Sequence, residues 1–122
     1  MLLNDFFYIH ELKASEHEVL AAVSINTEHR ILDGHFPAQP VVPGVCMIEM
    51  LKEVLEKSLQ VKLRLETSTM IKFLTLFAPP HHTSADFLID YVRDENGKIA
   101  VNASLRHDEI IFLKFKGIYC PA

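Results

Sequence analysis

One stretch of this chain has the makings of a long helix, and it stands directly behind the stiffest segment of the sequence. From Gly44 to about Leu59 the run GVCMIEMLKEVLEKSL contains no proline, and no glycine after its first residue. Before it, GHFPAQPVVPGV (residues 34–45) packs three prolines and two glycines around one histidine. Proline fixes its own φ and pushes the preceding residue out of the helical region, so the residues up to Gly44 read as a stiff loop and helix begins near Gly44. Helix is then uninterrupted for roughly 22 Å, enough to cross the face of a small sheet.

Apart from the irregular loop from Thr27 to Gly44, the rest of the chain reads as strands and turns. Phe6-Phe7-Tyr8-Ile9 and Val19 to Val23 are apolar runs separated by the polar Lys13-Ala14-Ser15-Glu16-His17, the pattern of two strands and a turn. After the helix, alternation and β-branched or aromatic content predict strands over Lys62–Glu66, Met70–Phe77, Ala85–Val92, Lys98–Arg106 and Ile110–Ile118. Asp94-Glu95-Asn96-Gly97-Lys98 is a hairpin turn, since Asn-Gly tolerates positive φ, and a second turn is expected at His107-Asp108-Glu109. Strands, a loop, one long helix and more antiparallel strands make an α+β class, with a sheet wrapped on one helix. No repeat or linker divides the 122 residues, so a single domain over 1–122 is expected.

Composition narrows the function classes. The formal net charge is −4 and no dense Lys/Arg run is present, which argues against general nucleic-acid binding. No stretch approaches the roughly 18 apolar residues of a membrane span. The N-terminus MLLNDFFYIHELK lacks the basic start and cleavage site of a signal peptide, so a cytoplasmic location is expected. Cys46 and Cys120, without CxxC spacing, read as reduced thiols. His81-His82 follows Pro79-Pro80, but adjacent histidines without a third ligand are no metal site, and none is expected. His10, His17, His29 and His107 read as strand or turn residues.

The helix start carries the chemistry. Its unpaired N–H groups and the positive end of the macrodipole favour a carbonyl gaining negative charge, and Gly44 has no side chain to block access. Helical side chains lean toward their own N-terminus, so Glu49, one and a half turns in, points back to that end. His35 is brought to the region by the proline loop. An amide donor, a carboxyl and an imidazole there suit proton abstraction beside a carbonyl coupled to loss of a hydroxyl one carbon on, a β-elimination of water. The plain alternative is that Glu49, Lys52, Glu53 and Glu56 form one solvated polar face. Against it, Val45 to Ile48 is apolar on every side, so the start of the helix should be buried, and a carboxyl at its edge needs a partner or a task.

His35-Phe36-Pro37, two residues, Pro40, two residues, Pro43-Gly44-Val45, then Glu49 fourteen residues after the histidine resembles the active-site motif of the 3-hydroxyacyl-acyl carrier protein dehydratases of bacterial fatty acid synthesis. Those are hotdog-fold enzymes. The resemblance implies dehydration of (3R)-3-hydroxyacyl thioesters to trans-2-enoyl thioesters without a cofactor. His35 would be the base at C2, Glu49 the acid at the C3 hydroxyl, and the Gly44 amide the donor to the thioester carbonyl. Phe36 and Val45 would complete the substrate contacts, and Phe73, Leu74, Leu76 and Phe77 are an acyl tunnel or plain core. It implies a homodimer with shared sites, or a trimer of dimers, and an acyl carrier protein or coenzyme A thioester as substrate. A basic docking patch would draw on Arg30, Lys62, Arg64, Lys72, Arg93 and Arg106. The family usually has glutamine four positions after its glutamate, where this chain has Glu53. A hotdog acyl thioesterase and a non-catalytic acyl-binding subunit are the alternatives.

Overall fold

The computed structural model describes residues 1–33 and 40–122. Its elements in chain order are β1 (Phe7–Ala14), β2 (Glu18–Ile25), a single 3-10 turn (Arg30–Leu32), α1 (Gly44–Leu59), β3 (Leu63–Phe73), β4 (Ser84–Arg93), β5 (Ile99–His107) and β6 (Ile110–Pro121). The strands make one antiparallel sheet in the order β1-β2-β4-β5-β6-β3.

That order explains the helix. β2 lies near one edge and β3 is the other, four strand spacings or roughly 19 Å away. A helix of 16 residues is about 24 Å long, so α1 carries the chain from one side of the sheet to the other across its inner face. It buries Cys46, Met47, Met50, Leu51, Val54 and Leu55 there. Strict alternation supplies the opposing surface: Val19, Ala21, Val23 and Ile25 of β2 and Ala85, Phe87, Ile89 and Tyr91 of β4 all point inward and are buried. This is the expected α+β hotdog arrangement.

The helix starts and stops where the sequence predicts. At its end Gln60 is left-handed (φ 55°) and its N–H closes on the Glu56 carbonyl, while the Glu56 carboxylate accepts the N–H of Leu63 at 2.8 Å and so starts β3. Both predicted turns form, with Gly97 at φ +83° and Asp108 at φ 52°. The strand prediction errs after the helix. Lys62–Glu66 and Met70–Phe77 are not two strands: β3 runs unbroken through Thr67-Ser68-Thr69, absorbing irregularities as register shifts between Leu65 and Thr67 and between Ser68 and Met70. Residues 74–77 then leave the sheet, with the Leu74 N–H held by the Phe112 carbonyl at 3.0 Å. Both cysteines are free and buried.

Candidate active site

The entrance to α1 is built by residues 40–44. Val41 and Val42 are buried, the Val42 N–H donates to the Phe77 carbonyl at 2.8 Å, and Pro43 is an extended N-cap without a side-chain hydrogen bond. Cys46 and Met47 donate back to the Pro43 carbonyl, leaving the N–H groups of Gly44 and Val45 without a partner among the described residues. The first of them, the Gly44 amide, is the donor expected of the site. The Phe73 ring lies against Gly44: a Cβ added there would fall 2.6 Å from its Cζ. Glycine here makes room for close approach, with no unusual backbone conformation.

Beside the amides lies a cavity of about 360 Å³ lined by Val41, Val42, Pro43, Gly44, Met47 and residues 73–77. Phe73, Leu74, Leu76 and Phe77, which the sequence left as tunnel or core, divide between the two roles. Phe77 is fully buried and stacks on Phe112 at 4.4 Å, while Phe73, Leu74 and Leu76 are exposed along the cavity wall. A larger concavity of about 840 Å³ lies on the outer face of the sheet, lined by Asp90, Val92, Asn102, Lys116 and others, away from the helix entrance and its amides.

Glu49 stands on the helix between this entrance and the core, 38% exposed, with the Lys52 ammonium 3.3 Å from its carboxylate. Its carboxyl is held above the usual range, first by partial burial, then by hydrogen bonding with Glu53; Lys52 opposes the rise. Glu53 corrects the solvated-face alternative, for it is only 1% exposed. Its Oε1 accepts the N–H of Leu2 at 2.9 Å and of Leu3 at 2.8 Å, and its Oε2 accepts that of Leu2 at 3.0 Å. Burial pushes the Glu53 carboxyl up, but hydrogen bonds from Glu49, Leu2 and Leu3 outweigh it and hold it below the usual range.

No sequence signal pointed to this partner segment. Asn4, left-handed at φ 66°, folds the first residues back so that the Phe6 N–H reaches the Leu2 carbonyl at 2.7 Å, which turns the Leu2 and Leu3 amides toward the helix. Tyr119 of β6 was also missed. Its hydroxyl is buried without a partner among the described residues, and burial, with the charges of Glu49 and Glu56, pushes it well above the usual tyrosine range.

His35 and Phe36 lie outside the described residues. Just before that segment, His29 accepts the Ile31 N–H on Nδ1 and hydrogen-bonds Asp5 through Nε2 at 3.1 Å, pinning the 3-10 turn from which the segment departs. Val45 departs from expectation: the start of the helix is not buried all round, because Val45 is 76% exposed in the single chain, although Cys46 and Met47 face the core. The Cys46 thiol is raised by burial and by Glu49. His82 packs edge-on to Phe112 at 5.2 Å, and no group of three or more candidate metal ligands occurs among the described residues. Of the six expected cations, Lys72 and Arg106 come together with Lys114 and Lys116 in a 450 Å³ concavity on the outer sheet face; Arg30, Lys62, Arg64 and Arg93 lie elsewhere. No helix among the described residues is long and apolar enough to cross a membrane.

Comparison with known proteins places this architecture. The model of the ApeI-like family, described as ApeI dehydratase, matches residues 11–100. A curated relative, the 3-hydroxyacyl-acyl-carrier-protein dehydratase FabZ of Janthinobacterium sp. (strain Marseille), is 30% identical over 71 residues, which are 58% of this chain and 37% of the relative, so the match spans well under half of that protein. Among solved structures, the dehydratase heterocomplex ApeI:P from Xenorhabdus doucetiae superposes with a TM-score of 0.64 at 19% identity, covering 90% of this chain and 95% of that one. An uncharacterized protein from Erwinia carotovora subsp. atroseptica superposes with a TM-score of 0.63 at 16% identity, covering 93% and 91%. With the sheet, the crossing helix and the family match over 11–100 in agreement, the chain belongs to the ApeI-like dehydratase family and has the hotdog fold.

Proposed function

We propose that this chain, as a single hotdog domain over 1–122, is a hydro-lyase that converts (3R)-3-hydroxyacyl thioesters to trans-2-enoyl thioesters and water. The observation that carries this reading is a carboxyl with raised proton affinity, Glu49, on the helix whose first residue, Gly44, has an amide unpartnered among the described residues and borders an apolar cavity. The thioester carbonyl accepts hydrogen bonds from Gly44 and Val45, which stabilise the negative charge that grows on it. The His35 imidazole takes the C2 proton. The electron pair of that C–H bond becomes the C2–C3 double bond, the C3–O bond breaks, and the Glu49 proton passes to the departing oxygen to complete water. Phe73, Leu74 and Leu76, with Phe36 and Val45, would surround the acyl chain. No step calls for a cofactor.

The assembly belongs to the same proposal. β3 is a sheet edge 11 residues long, with Ile71 and Phe73 exposed on it and Leu74 and Leu76 exposed beyond it. A sheet edge whose end exposes apolar side chains in this way is commonly covered in working proteins. A second copy of the chain would cover it and bring its own His35 loop to Glu49, forming a homodimer that a trimer of dimers could extend. The Xenorhabdus neighbour is a heterocomplex, and a related subunit on the same edge is the second reading. The mass of the purified chain in solution separates the two. The acyl group would arrive on acyl carrier protein or coenzyme A, with Lys72 directly opposite Lys114 across β3 and β6 concentrating positive charge for either.

The test is turnover of 3-hydroxyacyl thioesters of graded length, followed by enoyl absorbance. General acid–base groups contribute about 10² to 10⁴ in rate, so His35→Ala and Glu49→Gln should each lose at least about 10². Release of free acid and thiol would identify a thioesterase instead, and tight acyl binding without turnover would identify a non-catalytic subunit.

A further inference from the structure

We propose that Glu53 is a positioning residue that keeps the proton of the carboxyl pair on Glu49, and that the backbone amides of Leu2 and Leu3 hold Glu53 in the charged state this requires. The role of that proton in catalysis rests on the dehydratase reading above; the pairing of the carboxyls does not.

A carboxylate as buried as Glu53 is costly unless its oxygens are occupied. Three hydrogen bonds of 2.8 to 3.0 Å from Leu2 and Leu3 occupy part of the roughly four acceptor positions. Glu49, four positions earlier on the same helix, is the carboxyl that neighbours it on that face. Two carboxylates this close cannot both ionise cheaply, so one proton is shared between them. The amides decide where it stays. An N–H donor stabilises an ionised acceptor more than a protonated one, and fixed donors serve Glu53, whereas Glu49 has one mobile ammonium, Lys52.

The other titratable groups around the pair do not reverse this. On α1, Lys52 lowers the proton affinity of Glu49, while Cys46 carries its thiol proton and Glu56 is engaged by the Leu63 amide. From β6, Tyr119 faces the helix as a protonated phenol, and from the N-terminal segment the α-ammonium of Met1 adds to the stabilisation of ionised Glu53. The consequence is functional. A glutamate with a pKa near its ordinary value of about 4.3 would hold its proton in less than 1% of molecules at neutral pH, and a general acid must hold one.

The experiment is a carboxyl-carbon NMR titration of the full chain, with and without Glu53→Gln, paired with the pH dependence of kcat. Glutamine keeps an oxygen for the Leu2 and Leu3 amides but carries no charge, so the fold is retained. The Glu49 midpoint should fall by about one pH unit in the variant, and the alkaline limb of kcat should shift in the acid direction by the same amount. An unchanged Glu49 midpoint, or a parent chain in which Glu53 titrates above Glu49, overturns the proposal; the second result needs no variant at all. A midpoint that falls as expected in a chain that dehydrates no thioester upholds the carboxyl pairing and removes the dehydratase reading.

Discussion

β4 and β3 belong to the same sheet and are built for opposite purposes. β4 sits between β2 and β5 and alternates without a break, every second side chain from Ala85 to Tyr91 being buried. β3 has one neighbour and two register shifts, and it buries little beyond Leu63; its C-terminal Phe73 lies on the helix entrance while its other edge carries no strand. A central strand is specified by what it packs against on both sides. An edge strand has packing on one side only to specify it, and here its exposed apolar end also walls the candidate site.

The largest test of this contrast is a matched pair of truncations. Phe87→Ala on β4 removes a fully buried ring and should lower unfolding stability by about 3 to 5 kcal/mol in a denaturant titration, whereas Phe73→Ala should cost the protomer less than about 1. Equal losses would show that β3 is core after all. Next in size, Leu76→Asp, at a side chain 62% exposed, should leave secondary structure intact and convert the assembled protein to protomers in sedimentation or light scattering. An unchanged mass would place the covering partner elsewhere.

The smallest effect lies in the pH dependence of stability, and the two carboxyls act in opposite senses. Glu49 is raised by folding, so the stability attached to it is fully present below the unfolded value of about 4.3 and is lost as pH rises through its folded value. Glu53 is lowered, so its contribution is present above that unfolded value and lost as pH falls through the folded one. Glu49→Gln should therefore raise the thermal midpoint at pH 7 and give no gain near pH 4, while reducing activity, the usual trade of stability for a working site. A variant that loses stability at pH 7 would mean that the Glu49 charge is welcome in the fold.

Much of this was legible along the chain, for identifiable reasons. α1 was readable at both ends because its boundaries are local: the proline loop stops near Gly44, and nothing interrupts the run that follows. β4 was readable because one face is wholly buried and the period of two appears undiluted. β3 was read as two strands because Thr67-Ser68-Thr69 shows no alternation, and an edge strand needs none. Glu53 looked solvated for a related reason, since helical periodicity counts only the residues of the helix, and its partners are amides some fifty positions earlier.

By itself the order of residues settled the helix, most of the strands, the class of fold and the motif that places Gly44 and Glu49 at one helix end, because backbone sterics and periodic burial act over a few neighbouring residues. Only the folded chain decided which of two glutamates on one helix face has its proton affinity raised and which has it lowered. That choice depends on the Leu2 and Leu3 amides being carried to Glu53, and the energy of a buried carboxyl is set by what surrounds it in space.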